Sequence, residues 1–435
     1  MNRRQFLTAA TLSAAAGSVL PRAAAQPSSR RPPNILLIMA DDFGYECLAC
    51  NGAAEYKTPN LDALAASGVR FTAAHSTPLC TPTRVQLMTG KYNFRNYTEF
   101  GSLKPGEHTF AHMLQSKGYR TGVMGKWQLA GAVPGTAYKG KGSLPEEAGF
   151  DEHCLWQVKD RGSRYWDPSV QVNGKLEEEI KGKYGPDLFA QFGEEFIERH
   201  RNRPFLLYYP MALTHDPFVP TPRSPNLPAA SERHRADRKW FADMVAYMDH
   251  CAGRLLAKIE QTGLSSQTLI LFTGDNGTGR GITTMTRNGP YKGGKGGSTA
   301  AGTHVPLLAR WAGRSPKGAV SNDLIDFTDF LPTLAETASA GLPAGHPRDG
   351  RSFLPQVLGR KGAPRDWIFC DYNPRWGKME PARWAMDHDW KLYGDGRFFD
   401  LRADPLEERP PMAEVTGDAA RGKSKLAAAL SKFSG

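Results

Sequence analysis

Short apolar runs recur along the chain, with helical stretches between them. The segments 34–40 (NILLIMA), 205–211 (FLLYYPM), 269–273 (LILFT) and 305–311 (VPLLARW) are continuous rather than alternating. Continuous runs are what a strand needs when helices cover both of its faces, so they predict buried parallel strands. Between them, Thr58 offers a cap, Pro59 a first helical position, Leu61, Leu64 and Ala65 one apolar face, and Gly68 a stop. Amphipathic spacing predicts a longer helix over 236–259, ending near Gly263, and another over 324–335 despite Pro332. Strands alternating with helices predict an α/β fold, a large, doubly wound, mostly parallel sheet with helices on both faces.

Past about residue 345 the pattern changes. Residues 367–372, 383–386, 391–393 and 397–401 are short aromatic strand candidates divided by turns, with Gly394-Asp395-Gly396 as a hairpin connection. They predict a small antiparallel sheet followed by a terminal helix over 423–433. The expected division is a catalytic α/β domain over 33–344 and a small C-terminal α+β subdomain over 345–435. A length of 435 residues, beyond the roughly 250–300 that one core usually reaches, agrees with it.

The first 25 residues read as an address. Arg3-Arg4-Gln5-Phe6-Leu7 is a twin-arginine pattern, residues 8–20 are weakly apolar, and Ala23-Ala24-Ala25 suits a signal peptidase. Together they predict a signal peptide over 1–25, cleaved after Ala25, that hands a periplasmic or secreted protein to the twin-arginine export machinery. No run of 18 apolar residues follows, so no membrane span is expected after processing.

Composition narrows the classes. With 40% apolar and 23% charged residues, 9 Trp, 14 Tyr and 21 Phe, the chain is not disordered, and 45 Gly without a three-residue period exclude collagen. The net charge is +11, or +8 without the three arginines of the leader, which has no acids. Such an excess suits an anionic substrate, and no nucleic-acid motif accompanies it.

Candidate chemistry gathers at strand ends. Asp41-Asp42 follow the 34–40 run directly, and Asp275-Asn276 follow LILFT after one glycine. Ligands of open α/β sheets collect at the carboxyl ends of strands, and hard oxygen donors favour Ca²⁺ or Mg²⁺ over zinc. The same residues also fit two Asp- and Gly-rich surface turns. Cys80-Thr81-Pro82-Thr83-Arg84 opens a helical pattern through Val85, Leu87 and Met88 to Gly90. Residues 80 and 84 share a helix face, so a nucleophile-type side chain and a guanidinium meet at a helix N-terminus. Alone, this reads as either a low-pKa thiol or a capped helix. Cys47 and Cys50 form a C-x-x-C in a loop, without the second half of a thiol fold, which speaks against redox chemistry. Residues 153–168 (HCLWQVKDRGSRYWDP) mix Trp156, Tyr165 and Trp166 with Lys159, Arg161 and Arg164. Aromatic faces stack on sugars and arginine grips sulfate or carboxylate, or the loop packs over the sheet.

In order and spacing, these pieces resemble type I, formylglycine-dependent sulfatases of the alkaline phosphatase superfamily. The resemblance runs through residues 33–44 (PNILLIMADDFG), the 58–71 helix, the C-x-P-x-R signature at Cys80, residues 118–129 (GYRTGVMGKWQL), His215, Asp275-Asn276-Gly277, Gly294-Lys295-Gly296 and Phe399-Asp400-Leu401. It implies one divalent cation, usually calcium with magnesium possible, held by Asp41, Asp42, Asp275, Asn276 and the residue at Cys80. It also implies a maturation enzyme that oxidises Cys80 to formylglycine, whose hydrate attacks a sulfate surrounded by Arg84, Lys126 and Lys295. His215, helped by Lys295, would assist the leaving oxygen, and the covalent sulfate would then leave by elimination. The implied reaction is hydrolysis of sulfate esters, with a sulfated glycan as the preferred substrate class.

The chain departs from the family pattern in places. Gln128 stands where the family has a histidine, and it cannot titrate near neutral pH. Thr83 replaces the commoner serine or alanine, and residues 300–304 lack the usual Glu-Gly-Gly-x-Arg, leaving His304 either beside the substrate or structural. Substrate contacts are therefore expected from Trp156, Arg161, Arg164, Tyr165, Trp166 and His304. Two competing readings are a phosphodiester or phosphonate monoester hydrolase of the same superfamily, and a glycan-binding relative that lost turnover through Gln128.

Overall fold

The structure, a computed structural model, describes residues 31–133, 136–137, 139–177 and 180–433. The expected signal peptide lies outside them. The chain opens with β1 (Asn34–Ala40), β2 (Val69–His75), β3 (Arg120–Lys126) and β4 (Glu152–Trp156). A hairpin, β5 (Val170–Val172) and β6 (Lys175–Glu177), precedes β7 (Phe205–Pro210) and β8 (Thr268–Gly274). A second hairpin, β9 (Thr283–Thr286) and β10 (Gly289–Lys292), precedes β11 (Leu307–Trp311) and β12 (Ala319–Asp326). The last four are β13 (Ile368–Tyr372), β14 (Ala382–Met386), β15 (Trp390–Tyr393) and β16 (Phe398–Asp400).

Ten of these form one sheet in the order β12-β2-β11-β8-β1-β7-β3-β4-β5-β6. From β8 to β4 every pairing is parallel. The continuous apolar runs end up at its centre because both faces are covered. Leu36, Ile38 and Ala40 of β1 join a core with Phe189 and Phe196 of the Gly185–His200 helix and Met244 and Met248 of the Phe241–Gln261 helix. Ile35, Leu37 and Met39 join the opposite core with Val85 and Met88 of the Cys80–Thr89 helix and Leu331 and Leu334 of the Phe330–Thr337 helix. Each fully buried side chain of this kind contributes about 1.5–3 kcal/mol.

Two expectations need correction. The 305–311 run becomes β11, but it lies antiparallel to both β2 and β8. The expected 324–335 helix is split: Leu324, Ile325 and Asp326 pair with β2, and the helix begins only at Phe330. Asp326 causes the break, since its carboxylate accepts the Thr328 amide at 2.8 Å and caps a fresh turn. The antiparallel β13-β14-β15-β16 sheet is as expected, and the terminal helix, Gly417–Ser431, starts earlier than the 423–433 pattern suggested. Leu426 and Ala429 of that helix pack on Trp390, Leu392 and Phe398. Among the described residues no helix is long and apolar enough to cross a membrane.

Candidate active site

The site follows from strand register. Ala40 of β1 pairs with Gly274 of β8, so the next residues, Asp41-Asp42 and Asp275-Asn276, emerge side by side. The Asp42 amide donates to Asp275 Oδ1 at 3.0 Å, and Asn276 Nδ2 donates to Asp42 Oδ1 at 2.9 Å. Asp42 adopts a left-handed backbone (φ 56°), uncommon for a non-glycine residue and typical of functional turns. The chain leaving β7 is laced to the same spot: the Asp41 amide donates to the Leu213 carbonyl at 2.8 Å and the Thr214 amide to the Asp41 carbonyl at 2.7 Å. That lacing delivers His215. Lys126 ends β3, and Gly125 before it (φ 110°) must be glycine, since a Cβ there would lie 2.1 Å from the Pro210 carbonyl oxygen.

Cys80 is the first residue of the Cys80–Thr89 helix, and its Sγ lies 3.3 Å from Asp41 Oδ1 and 3.7 Å from Asp42 Oδ1. In an oxidised residue the aldehyde or hydrate oxygens would stand where this sulfur is. One turn on, Arg84 Nη2 reaches Asp275 Oδ2 at 2.9 Å and Asp41 Oδ1 at 3.7 Å. Lys126 Nζ lies 2.7 Å from Asp41 Oδ2. Lys295 Nζ donates to Asp42 Oδ2 at 2.7 Å and meets His215 Nε2 at 2.9 Å. Charge is graded by depth: Arg84 and Lys126 are 1% and 0% exposed, His215 and Lys295 17% and 18%. Lys295 faces a cavity of about 500 Å³ whose lining also includes Asp42, Asp216, Arg238 and Arg280.

Crowded carboxylates make this spot ask for a cation. Burial opposes ionisation of Asp41, but Lys126, His215, Arg84 and Lys295 outweigh it and hold its carboxyl well below the usual range. Burial and the neighbouring Asp41 push Asp275 the other way, up to about 7, against Arg84 and Lys126. Two adjacent buried carboxylates cannot both ionise comfortably without more positive charge. Asn276 Oδ1 is buried with no donor among the described residues. An orphaned amide oxygen among three carboxylates is a hard donor set, which fits Ca²⁺ or Mg²⁺. Ligand atoms of Asp41, Asp42, Cys80 and His215 lie within 4.8 Å of one another. Burial, Asp275 and Asp41 also raise the Cys80 thiol well above its ordinary value, so the helix N-terminus does not make it a thiolate.

A model of the sulfatase family matches residues 33–340. The chain belongs to the sulfatase family, within the alkaline phosphatase superfamily. Human arylsulfatase A is 34% identical over 387 residues, covering 81% of this chain and 73% of that protein. The N-acetylgalactosamine-6-sulfatase of Canis lupus familiaris is 32% identical, covering 84% and 74%. The crystal structure of Ps i-CgsB in complex with k-i-k-neocarrahexaose superposes with a TM-score of 0.75 at 25% identity, covering 93% of each chain.

Other expected residues of this sulfatase are placed differently. Gln128, also left-handed (φ 57°), is buried in the wall, where its Oε1 accepts from Thr81 Oγ1 at 3.4 Å. It borders the ionic cluster through Thr81, the neighbour of Cys80. Trp156, Tyr165 and Trp166 do not offer open faces to a sugar: all three are buried in the core, although Tyr165 and Trp166 also border a small cavity. Their polar atoms are spent on carbonyls, Trp156 Nε1 on Gly162, Trp166 Nε1 on Pro220, and the Tyr165 hydroxyl on Ala212 and His215. His304 is structural: its ring stacks on Tyr45 at 4.1 Å and on His75 at 4.9 Å, and its Nε2 meets the Thr72 carbonyl at 2.9 Å. Arg161 and Arg164 border a separate small cavity beside Pro217. Asp216 was not singled out from the sequence, although it follows His215 directly. Its carbonyl lies 2.7 Å and its carboxylate 2.5 Å from His215 Nδ1, and that contact holds the Asp216 carboxyl below its usual range. All six cysteines are free thiols.

Proposed function

We propose that this sulfatase hydrolyses sulfate esters of carbohydrates, with position 80 matured to formylglycine and one divalent cation, calcium or magnesium, held by Asp41, Asp42, Asp275 and Asn276. The observation that carries the reading is the Cys80 sulfur lying against Asp41 and Asp42 inside a ring of Arg84, Lys126 and Lys295. When present, the hydrated aldehyde supplies a hydroxyl that attacks sulfur, and the cation supplies Lewis acidity.

The chain's own residues do the rest. Arg84 and Lys126 are locked by Asp275 and Asp41 in a dry interior, so their charge need not reorganise as negative charge grows on the breaking ester. His215 has its Nδ1 hydrogen engaged by Asp216, which leaves Nε2 as the acceptor for Lys295. Two hydrogens of the Lys295 ammonium are used by Asp42 and His215, and the third remains for the leaving oxygen. Gln128 orients by hydrogen bonding and carries no proton away. Burial lowers the pKa of His215, with Asp42 opposing, so the neutral ring prevails at neutral pH and Lys295 is the charged donor.

A carbohydrate leaving group is supported by relatives, one named for N-acetylgalactosamine and one solved with a neocarrahexaose, and by a mouth of about 500 Å³. The twin-arginine export machinery, a formylglycine-generating maturation enzyme and a periplasmic or secreted location complete the proposal. The test is peptide mass spectrometry of segment 71–84 together with sulfate release from sulfated oligosaccharides. Formylglycine at position 80 and released sulfate are expected; unmodified cysteine in the native organism overturns the mechanism. Gln128 favours one second reading, a glycan binder without turnover, which tight binding with no release would establish.

A further inference from the structure

Next to the mouth lies a smaller cavity, of about 170 Å³, that is lined with positive charge and no carboxylate among the described residues. Arg161, Arg164 and Arg233 border it. The larger mouth, by contrast, mixes Arg238, Arg280 and Lys295 with Asp42, Asp216 and Asp237.

Arg164 is the decisive residue. It is only 6% exposed, and among the described residues its guanidinium makes no hydrogen bond and no ion pair, Asp216 feeling its charge only from a distance; its Nη1 is buried without a partner. The Trp156 ring lies 4.0 Å from its Cζ and holds it in place. Stacking satisfies the charge in part, but the in-plane N–H groups still require acceptors. Arg233 is held in the same way, 4.5 Å over Trp166, and exposed Arg161 has no ion pair among the described residues. The buried tryptophans are thus platforms for arginines.

The cavity is tied to the catalytic histidine. Tyr165, adjacent to Arg164, donates to the His215 carbonyl at 2.5 Å, and Pro217 and Val219, just past His215, line the cavity wall. Its volume is below that of usual small-molecule pockets and suits one charged substituent. We infer that this cavity binds a second anionic group, a sulfate or a carboxylate, carried by the same saccharide whose sulfate ester reacts at position 80. The inference rests on the carbohydrate-sulfatase reading and narrows it to polyanionic glycans, for which arginine's planar fork is the fitting receptor.

The experiment uses the full chain with Cys80→Ala, which retains saccharide without turnover. Its affinity is measured by calorimetry for a disaccharide with one sulfate, the same disaccharide with a second sulfate, and one with a uronate carboxylate instead. At least one doubly charged form should bind about tenfold or more tightly than the monosulfate, and the better one identifies the group. Arg164→Met should bring the affinities within about twofold of each other. Because Arg164 is buried, the surface pair Arg161→Gln and Arg233→Gln is tested alongside and should also shrink the difference. Equal affinities before substitution, or a preference that survives both variants, overturn the subsite. Sulfate release by the matured enzyme is read separately: release without an affinity difference removes the subsite and leaves the sulfatase, and the difference without release does the reverse.

Discussion

Two regions looked alike as sequence and became opposites in space. The strand-end residues Asp41, Asp42, Asp275 and Asn276 and the aromatic-basic stretch 153–168 both suggested ligand contacts. In the first, adjacent parallel strands end in register, so like charges are forced together and must be met by Arg84, Lys126 and Lys295. In the second, the large rings turn inward, Tyr165 and Trp166 showing only an edge to a small cavity whose charge comes from arginines. Position on a parallel sheet dictates where polar groups go, whereas an aromatic residue follows the apolar area it can bury.

The largest effect expected is at position 80. Cys80→Ala should lower sulfate release by at least about 10⁴-fold in a steady-state assay, as loss of a nucleophile does. Depth should separate the lysines. Lys126→Met leaves Asp41 buried with only the longer Arg84 contact, which costs about 3–5 kcal/mol in chemical denaturation, while Lys295→Met at the mouth costs under about 1 kcal/mol and shows up mainly in turnover. Equal destabilisation by both would erase the graded arrangement.

Trp156→Ala sharpens the contrast between the regions. A core platform predicts a loss of about 3–5 kcal/mol by denaturant titration, and a sugar-stacking face predicts intact stability with a raised KM. Calcium tests the strand ends by another readout: at a hundredfold excess over Kd it should add about 2.7 kcal/mol, seen as a raised Tm that chelation reverses. Unchanged Tm would mean that the carboxylates are satisfied without a cation.

How much was legible depended on the physics behind each element. The runs that became β1, β7 and β8 were readable because a strand covered on both faces must be apolar throughout, and the chemistry at their ends followed from topology. Direction was not readable in β11, since composition is the same for parallel and antiparallel neighbours. β2 and β3 carry Arg70, Gly125 and Lys126 within them, which break the apolar signal; Gly125 is there for close packing and Lys126 for the site. The sequence 324–335 hid a strand because Asp326 ends one ladder and caps the next turn with a single side chain. The unpaired guanidinium of Arg164 appears only once its surroundings are known in three dimensions.

A pH-dependent effect on stability alone concerns His304. Burial lowers its pKa to about 4, with the Thr72 carbonyl opposing, from an ordinary value near 6.5. A folded value below the unfolded one means that its contribution to stability is present above about pH 6.5 and is lost as pH falls towards 4. His304→Gln should flatten the stability-against-pH curve in that window by about 1–2 kcal/mol, measured by urea titration at several pH values. A slope identical to that of the unsubstituted protein would return His304 to the substrate-contact candidates.

The most direct measurement is anomalous diffraction from crystals of the protein loaded with calcium or manganese. The account predicts a single peak between β1 and β8, ligated by oxygens of Asp41, Asp42, Asp275 and Asn276 and facing residue 80. No peak there, or a metal bound by other side chains, would contradict it.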